Sequence, residues 1–318
     1  MTETRAQKGT KLRANFKKTF ITLLIAGLFI VFLFLSGEIS GYVISGLNLS
    51  VKVIVPSVFP FLLITDLFIG SVGTKSASFI NRCFERLFNI SGRGAVVFMC
   101  GILCGFPIGA KMSLELYTNG IISKCECERL MSFANNASPA YVIFVVGAAL
   151  RDNIFEGIAL YLITVVSAIL TGLIIGINKN KTDNAGFITK QNYIFTKSVK
   201  QSTEICITIC GFITTFAIIC GLCKKFIKHN ISLALLVSFL EIGNASVHLS
   251  ELYNCDGFLS FALSSFSISF SGICVISQTA SLIDSEYKIS MLKHTGYKLL
   301  QGIISMLLSM AIFPFLKK

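Results

Sequence analysis

The chain has 318 residues, of which 53% are hydrophobic and only 14% are charged, and its formal net charge is +12. Soluble domains carry about 25% charged residues, so an ordinary soluble domain is excluded and an all-α, polytopic helical membrane protein is predicted. The positive charges stand in short stretches between apolar runs, where they orient a membrane protein. Because no groove-reading motif accompanies them, we expect no binding to nucleic acid.

The N-terminal segment, residues 1–19, is basic and is expected to lie in the cytoplasm. It precedes the uncharged run Phe20 to Leu35, which approaches the ~20 apolar residues that cross a membrane. This arrangement resembles a signal peptide, but no clear small-residue cleavage site follows the run. We therefore expect an uncleaved first helix at about 20–36, in a multi-pass protein of the cell membrane.

The first membrane half is expected at 20–177, and a polar linker at 178–200 separates it from a second half at 201–318. In the first half the apolar pattern predicts a surface helix near 79–90, an interrupted stretch at 94–122, and spans at 57–73, 133–150 and 156–177. In the second half it predicts a span at 203–223, an apolar segment at 231–249, an interrupted stretch at 257–283, and a last helix that ends near Phe315.

The two halves resemble each other in the order of their features. Asp66 lies in an apolar segment ahead of the first interrupted stretch, and Glu241 lies in one ahead of the second. Related halves with interrupted or re-entrant helices at matching places are typical of transporters. Whether each stretch re-enters or crosses stays open, because the basic linker and the basic segment "KKFIKH" favour different orientations.

The first interrupted stretch contains "CGILCGFPIGAKMS", residues 100–113. Pro107 removes a backbone donor and breaks the helix, while Gly105 and Gly109 permit unusual backbone angles. Freed backbone groups are tolerated in a membrane only inside protein or beside a wet cavity. A helix that restarts near Gly109 would point its positive end, with Lys111, at an anion. The alternative is a tight packing face of Gly101, Gly105 and Gly109, with Lys111 reaching toward water.

Intramembrane acids are candidate functional residues, so Asp66 and Glu241 are expected to couple or gate transport. The alternative is that they form a structural pair or stand at helix ends. Further candidate ligands for the solute are neutral side chains in the interrupted segments and in the turn "NNASP": Asn135, Asn136, Ser271 and Gln278. Adjacent amides offer both donors and acceptors, although a turn that caps the next span is an equal alternative for Asn135 and Asn136.

Catalytic and metal chemistry have little support in the sequence. There is no P-loop, HExxH or GxSxG motif, and the three histidines have no local partner. The eleven cysteines show no disulfide framework and behave as small apolar residues. We expect no enzyme activity, no cofactor and no metal site, with the lipid bilayer, a small anionic solute and a homo-oligomer of the chain as candidate partners.

The stretch "GFPIGAKMSLELYTNGIISKCECERLMSFANNASP", with "PSVFPFLLITDL" and "EIGNAS…FSGICVISQTAS", resembles the Gate, or nucleoside-recognition, domain family of membrane proteins. Its sporulation members carry a Gly-Tyr-Pro-x-Gly-Ala-Lys signature, for which this chain has Phe106 in place of tyrosine. The likeness extends over most of residues 45–316, and the segment around Glu241 is poorer in glycine than is usual.

The resemblance implies a transporter-like helical protein that acts in sporulation of endospore-forming bacteria, with dipicolinate as one candidate cargo. Related Gate domains occur in nucleoside transporters and in a ferrous-iron transporter, so a nucleoside or ferrous-iron permease is an alternative. A membrane assembly protein of sporulation that transports nothing is another.

Overall fold

The computed structural model of the chain describes residues 19–316, except for 21, 24, 28, 73–77, 178–194 and 254. The basic N-terminal segment therefore lies outside the described residues apart from residue 19, as does most of the polar linker. The described part contains helices and no strands. After helical residues within 19–34, its α-helices are α1 (Ser36–Leu49), α2 (Val55–Val72), α3 (Ser78–Phe88), α4 (Gly94–Cys104), α5 (Ile108–Thr118), α6 (Lys124–Ala134), α7 (Ile154–Gly176), α8 (Phe195–Phe226), α9 (Asn230–Leu240), α10 (Ile242–Tyr253), α11 (Gly257–Phe270), α12 (Gly272–Ser281) and α13 (Met291–Leu316).

Shorter elements complete the described chain. A π-helical turn, Ser50–Ile54, joins α1 to α2, a second π-helix occupies Ala140–Leu150, and a 3-10 turn covers Ser285–Tyr287. Five of the described helical segments are long and apolar enough to cross a membrane: Ser36–Thr65, Ile154–Gly176, Phe195–Phe226, Gly257–Ser281 and Met291–Leu316. The predicted all-α, polytopic class is confirmed.

The first interrupted stretch folds into a hairpin of α4 and α5. Gly105 has a φ of +86° and ends α4, and Pro107 immediately precedes α5. A Cβ placed on Gly101 would lie 3.2 Å from the Cα of Gly109, so the two helices approach closely. Each has 11 residues and rises about 16 Å, about half of a hydrocarbon core. We call Gly105–Pro107 the first tip.

A second hairpin is formed by α9 and α10, in the region that the sequence pattern marks as an apolar segment at 231–249. Glu241 has an extended backbone, with φ −154° and ψ 127°, and separates the helices. The ring of His248 in α10 lies 3.4 Å from the carbonyl oxygen of Asn230 at the start of α9, so the chain doubles back. We call Leu240–Ile242 the second tip.

Each hairpin is followed by a helical segment that bends in its middle. The chain from α6 to the π-helix bends at Asn135–Ser138, the first bend, within the region predicted as a span at 133–150. The chain from α11 to α12 bends at Ser271–Gly272, where both residues have positive φ; this is the second bend. The element order therefore pairs the first tip with the second tip, rather than with the stretch 257–283 as the sequence pattern indicates.

The long helix α8 lies beside a different turn of the chain at each of its two ends. Its 32 residues measure about 48 Å, more than the ~30 Å hydrocarbon core. Near its start, Gln201 lines a cavity together with Thr118 at the end of α5. At its other end, Lys224 lines a cavity with Cys255, in the turn between α10 and α11. The α5–α6 and α10–α11 turns thus lie at opposite ends of α8.

Candidate functional site

Each tip packs against the bend of its own half. A Cβ on Gly105 would lie 2.8 Å from the Cβ of Ser138, so only glycine fits where the first tip meets the first bend. A Cβ on Gly272 would lie 2.9 Å from the carbonyl oxygen of Leu240, which brings the second bend against the second tip. Both contacts place irregular backbone inside protein, where a membrane protein tolerates it.

Side chains of the first half connect its tip and bend to the tip and bend of the second half. The Tyr141 hydroxyl, just after the first bend, donates to the carbonyl oxygen of Ile242 at 3.3 Å and lies 3.1 Å from the Ser246 hydroxyl. The Asn135 amide donates to the Thr279 hydroxyl in α12 at 3.2 Å. The tips and bends therefore form one junction of irregular backbone.

A cavity of ≈ 60 Å³, which we call the inner cavity, lies at this junction. Its wall includes Gly105 and Phe106 from the first tip, Ser138 from the first bend, and Glu241 from the second tip. Gln278 of α12 also lines the inner cavity. The inner cavity thus brings together three residues that the sequence singled out: Gly105, Glu241 and Gln278.

A larger cavity of ≈ 460 Å³, the vestibule, lies on the other side of the first tip and is lined by Pro107, Lys111 and Gln278. Lys111 does not face the inner cavity; its ammonium lies 3.9 Å from the Glu115 carboxylate, one turn along α5. Glu204 and Asp284 also line the vestibule, so its described wall holds charges of both signs.

Glu241 is buried, with 2% of its surface exposed, and its carboxylate turns back onto the start of α10. The backbone N–H groups of Gly243 and Asn244 donate to it at 2.7 and 2.6 Å, and the Asn244 amide donates at 2.8 Å. An acid at a helix N-terminus is stabilised by the orphan amides and by the helix dipole. Sequence reasoning placed Glu241 near the middle of an apolar segment, with a helix end as the alternative; the structure agrees with the alternative, because Glu241 ends one helix and caps the next.

The glycines of α4 and α5 also have a packing role. A Cβ on Gly101 or on Gly109 would overlap the carbonyl group of Ala134, at the end of α6. The start of α5 therefore meets the carbonyl end of α6 directly. This agrees with the packing alternative for Gly109 that the sequence left open.

The first bend is held by two residues of α13 that sequence reasoning missed, Lys298 and Gln301. The Lys298 ammonium donates to the carbonyl oxygen of Asn135 at 3.0 Å and to Gln301 Oε1 at 2.8 Å. The Gln301 amide donates to Asn136 Oδ1 at 2.7 Å. Asn135 and Asn136 are buried and have these structural partners in the junction.

The sequence does contain a signal that this side of α13 faces the protein interior. Lys298, Gln301, Ser305 and Ser309 recur at helical spacing in an otherwise apolar helix, and each is at most 1% exposed. A polar stripe of this kind indicates a face turned to the protein interior.

The remaining predicted residues lie apart from the inner cavity wall. Ser271 forms the second bend and is 1% exposed. The backbone of Asp66 belongs to α2, but its side chain lies outside the described residues. Among the described residues, no group of three His, Cys, Asp or Glu side chains could hold a metal ion.

On the face opposite the vestibule, a buried ion pair ties the first half to the second. Arg151 lies 3.2 Å from the Glu156 carboxylate and donates to the Ser260 and Ser264 hydroxyls in α11 at 2.8 and 2.7 Å. The Tyr253 hydroxyl donates to Glu156. Burial and this hydrogen bond raise the pKa of Tyr253 to about 12, so the phenol keeps its proton.

Comparison with known proteins gives one curated relative, the sporulation integral membrane protein YlbJ of Bacillus subtilis (strain 168). It is 32% identical to this chain over 117 residues, which is 36% of this chain and 29% of the relative. The match thus spans less than a third of the relative's length. No protein-family model and no solved structure matches the chain. This chain is a multi-pass membrane protein related to a sporulation integral membrane protein.

Proposed function

We propose that this protein transports a small solute across a membrane during sporulation and binds it in the inner cavity. The observation that carries the proposal is the meeting of both tips and both bends around this cavity. Irregular backbone in a membrane provides free donors and acceptors for a polar solute, and inverted halves built in this way support alternating access.

The position of the two cavities supports a route for the solute. Gln278 and Ile209 line both the vestibule and the inner cavity, so they separate the two spaces. Pockets that hold drug-sized molecules measure about 300–1,000 Å³, and the inner cavity is much smaller. Entry of a solute therefore requires the tips and bends to move apart.

The chemical class of the solute and the family of the protein are also part of our proposal. We infer an anionic cargo, with dipicolinate as a candidate, a Gate-like evolutionary origin and no catalytic activity. The support is the sequence resemblance together with lysine side chains on both sides of Phe106: Lys111 in the vestibule and Lys298 behind the first bend. In this scheme the N-terminus lies in the cytoplasm.

Uptake by liposomes that contain the purified protein tests the proposal. We expect uptake of dipicolinate, with a nucleoside and ferrous iron as the competing cargoes. Ser57 lines the inner cavity, so Ser57→Phe should fill it and abolish uptake. Ser40→Phe, on an exposed position of α1, is the matched control and should transport normally. Absence of flux for all three solutes, in a correctly folded protein, would contradict a transport function.

A further inference from the structure

Lys298 is a buried amine, and its hydrogen-bond partners include no acidic side chain among the described residues. It is 1% exposed, and its hydrogen-bond acceptors are the neutral oxygens of Asn135 and Gln301. No described residue forms a salt bridge with it. Burial without a partner disfavours the charged form of a lysine, and a negative charge placed beside it favours that form. An anion at this site would therefore supply the counter-charge that an ammonium group needs here.

The helix dipole offsets only part of this charge. Asn135 follows the last residue of α6, so the Lys298 ammonium lies at the carbonyl end of that helix. This end carries about half of an elementary negative charge, which is less than the full charge of a protonated Lys298. A second incomplete group lies beside it, since the buried Asn135 Oδ1 has no hydrogen-bond partner.

The ring of Phe106 separates this ammonium from the inner cavity. The Lys298 ammonium lies 5.7 Å from the centre of the ring, and Phe106 is also part of the inner cavity wall. The ring stabilises the cation through its π face, but it cannot neutralise it. Phe106 is only half-buried and follows Gly105 in the first tip, so movement of this tip would carry the ring with it.

We propose that Lys298 binds the anionic group of the solute once the Phe106 ring moves out of the way. This inference rests on the proposed transport function and deepens it, because it names the residue that selects the charge of the cargo. Asn135 Oδ1 would accept a hydrogen bond from an N–H or O–H group of the same solute. The preferred class is thus a small anion that also carries a donor.

The test measures thermal unfolding of the full-length protein in detergent, with inorganic phosphate as the probe and chloride at equal ionic strength as the reference. Phosphate should raise the melting temperature of Phe106→Ala by on the order of 5 °C, and that of the wild type by less. The shift should persist in Phe106→Ala combined with Lys298→Arg, and vanish in Phe106→Ala combined with Lys298→Met.

The controls separate anion binding from a purely structural role. If Lys298 only caps α6, its replacement lowers stability equally in phosphate and in chloride. An equal phosphate shift with Lys298→Met, or no shift in Phe106→Ala, would overturn the inference. Loss of the shift in Lys111→Met instead would place the anion in the vestibule and also overturn it. Liposome uptake that is normal in Lys298→Met would refute this inference while leaving the transport function standing.

Discussion

Single residues determine whether the irregular backbone of the junction can form. Gly105 has φ +86° and ψ −174°, a region that is almost restricted to glycine. The sequence indicates this need through the neighbouring proline and glycines. It could not show that the first tip faces Ser138, because that contact depends on how distant segments pack.

Gly105→Ala tests this contact. The backbone strain and the contact with Ser138 should together lower the free energy of unfolding by about 2–4 kcal/mol. Gly120 is a matched control, because it also has positive φ, +70°, but nothing lies within 4 Å of an added Cβ. Gly120→Ala should cost only about 1–2 kcal/mol. Equal losses in thermal unfolding experiments would show that packing at the first tip adds nothing.

The burial of individual lysines could not be predicted from the sequence. Lys298 belongs to a basic series with Lys288 and Lys293, and charge alone suggests a solvated surface. The structure separates them: Lys293 pairs with Glu128 at 2.9 Å and stays half-exposed, whereas Lys298, more than one turn further on, is buried. Depth along a helix depends on its tertiary neighbours, which one sequence does not reveal.

At the scale of elements, the predicted helices are largely correct, and the interruptions at Pro107 and within 257–283 are present, but the break at Glu241 was not predicted. The pattern located the break at Pro107 because proline and glycine are strong local signals. The break at Glu241 carries no proline, and its apolar flanks suggest one continuous span. Its stabilisation comes from amides of α10 that bind the carboxylate, a capping arrangement that apolar periodicity does not detect.

The contact between α7 and α11 makes a prediction at this scale. Glu156→Gln leaves the Arg151 guanidinium buried without its carboxylate partner and should destabilise the protein by about 3–5 kcal/mol. Lys200 and Glu204 form an exposed pair, with side chains 78% and 63% accessible. Glu204→Gln should therefore cost less than about 1 kcal/mol.

Thermal unfolding of the two variants in one detergent compares these pairs. The double variant Arg151→Met with Glu156→Leu removes both charges and should recover part of the lost stability. If it is no more stable than Glu156→Gln, an unpaired buried charge does not explain the loss.

At the scale of the whole molecule, the contacts at the two ends of α8 favour an inverted over a parallel arrangement of the halves. Loop charge alone left the orientation open, because the basic linker and "KKFIKH" favour different orientations. With both hairpins counted, the α5–α6 turn and the α10–α11 turn lie at opposite ends of α8, and we expect them on opposite sides of a membrane. The related order of elements was foreseeable, but the orientation required the contacts at both ends of α8.

Thiol labelling in sealed vesicles tests the inverted arrangement. Cys125, near the α5–α6 turn, and Cys255, in the α10–α11 turn, are both exposed. In variants that retain one of these cysteines, a membrane-impermeant maleimide should label one position from outside and the other only after permeabilisation. Labelling of both from the same side would rule out inverted halves.

If the protein is the carrier that we propose, the thin partition formed by Gln278 and Ile209 between the vestibule and the inner cavity has a physiological consequence. A carrier in which both spaces became continuous across the membrane would behave as a pore and would dissipate the ion gradients of the cell. Selection should therefore act on the bulk of these two side chains as well as on solute binding. Replacing both residues with alanine is expected to produce a leak conductance in planar bilayers and to slow growth on expression. Simple loss of uptake would produce no leak conductance.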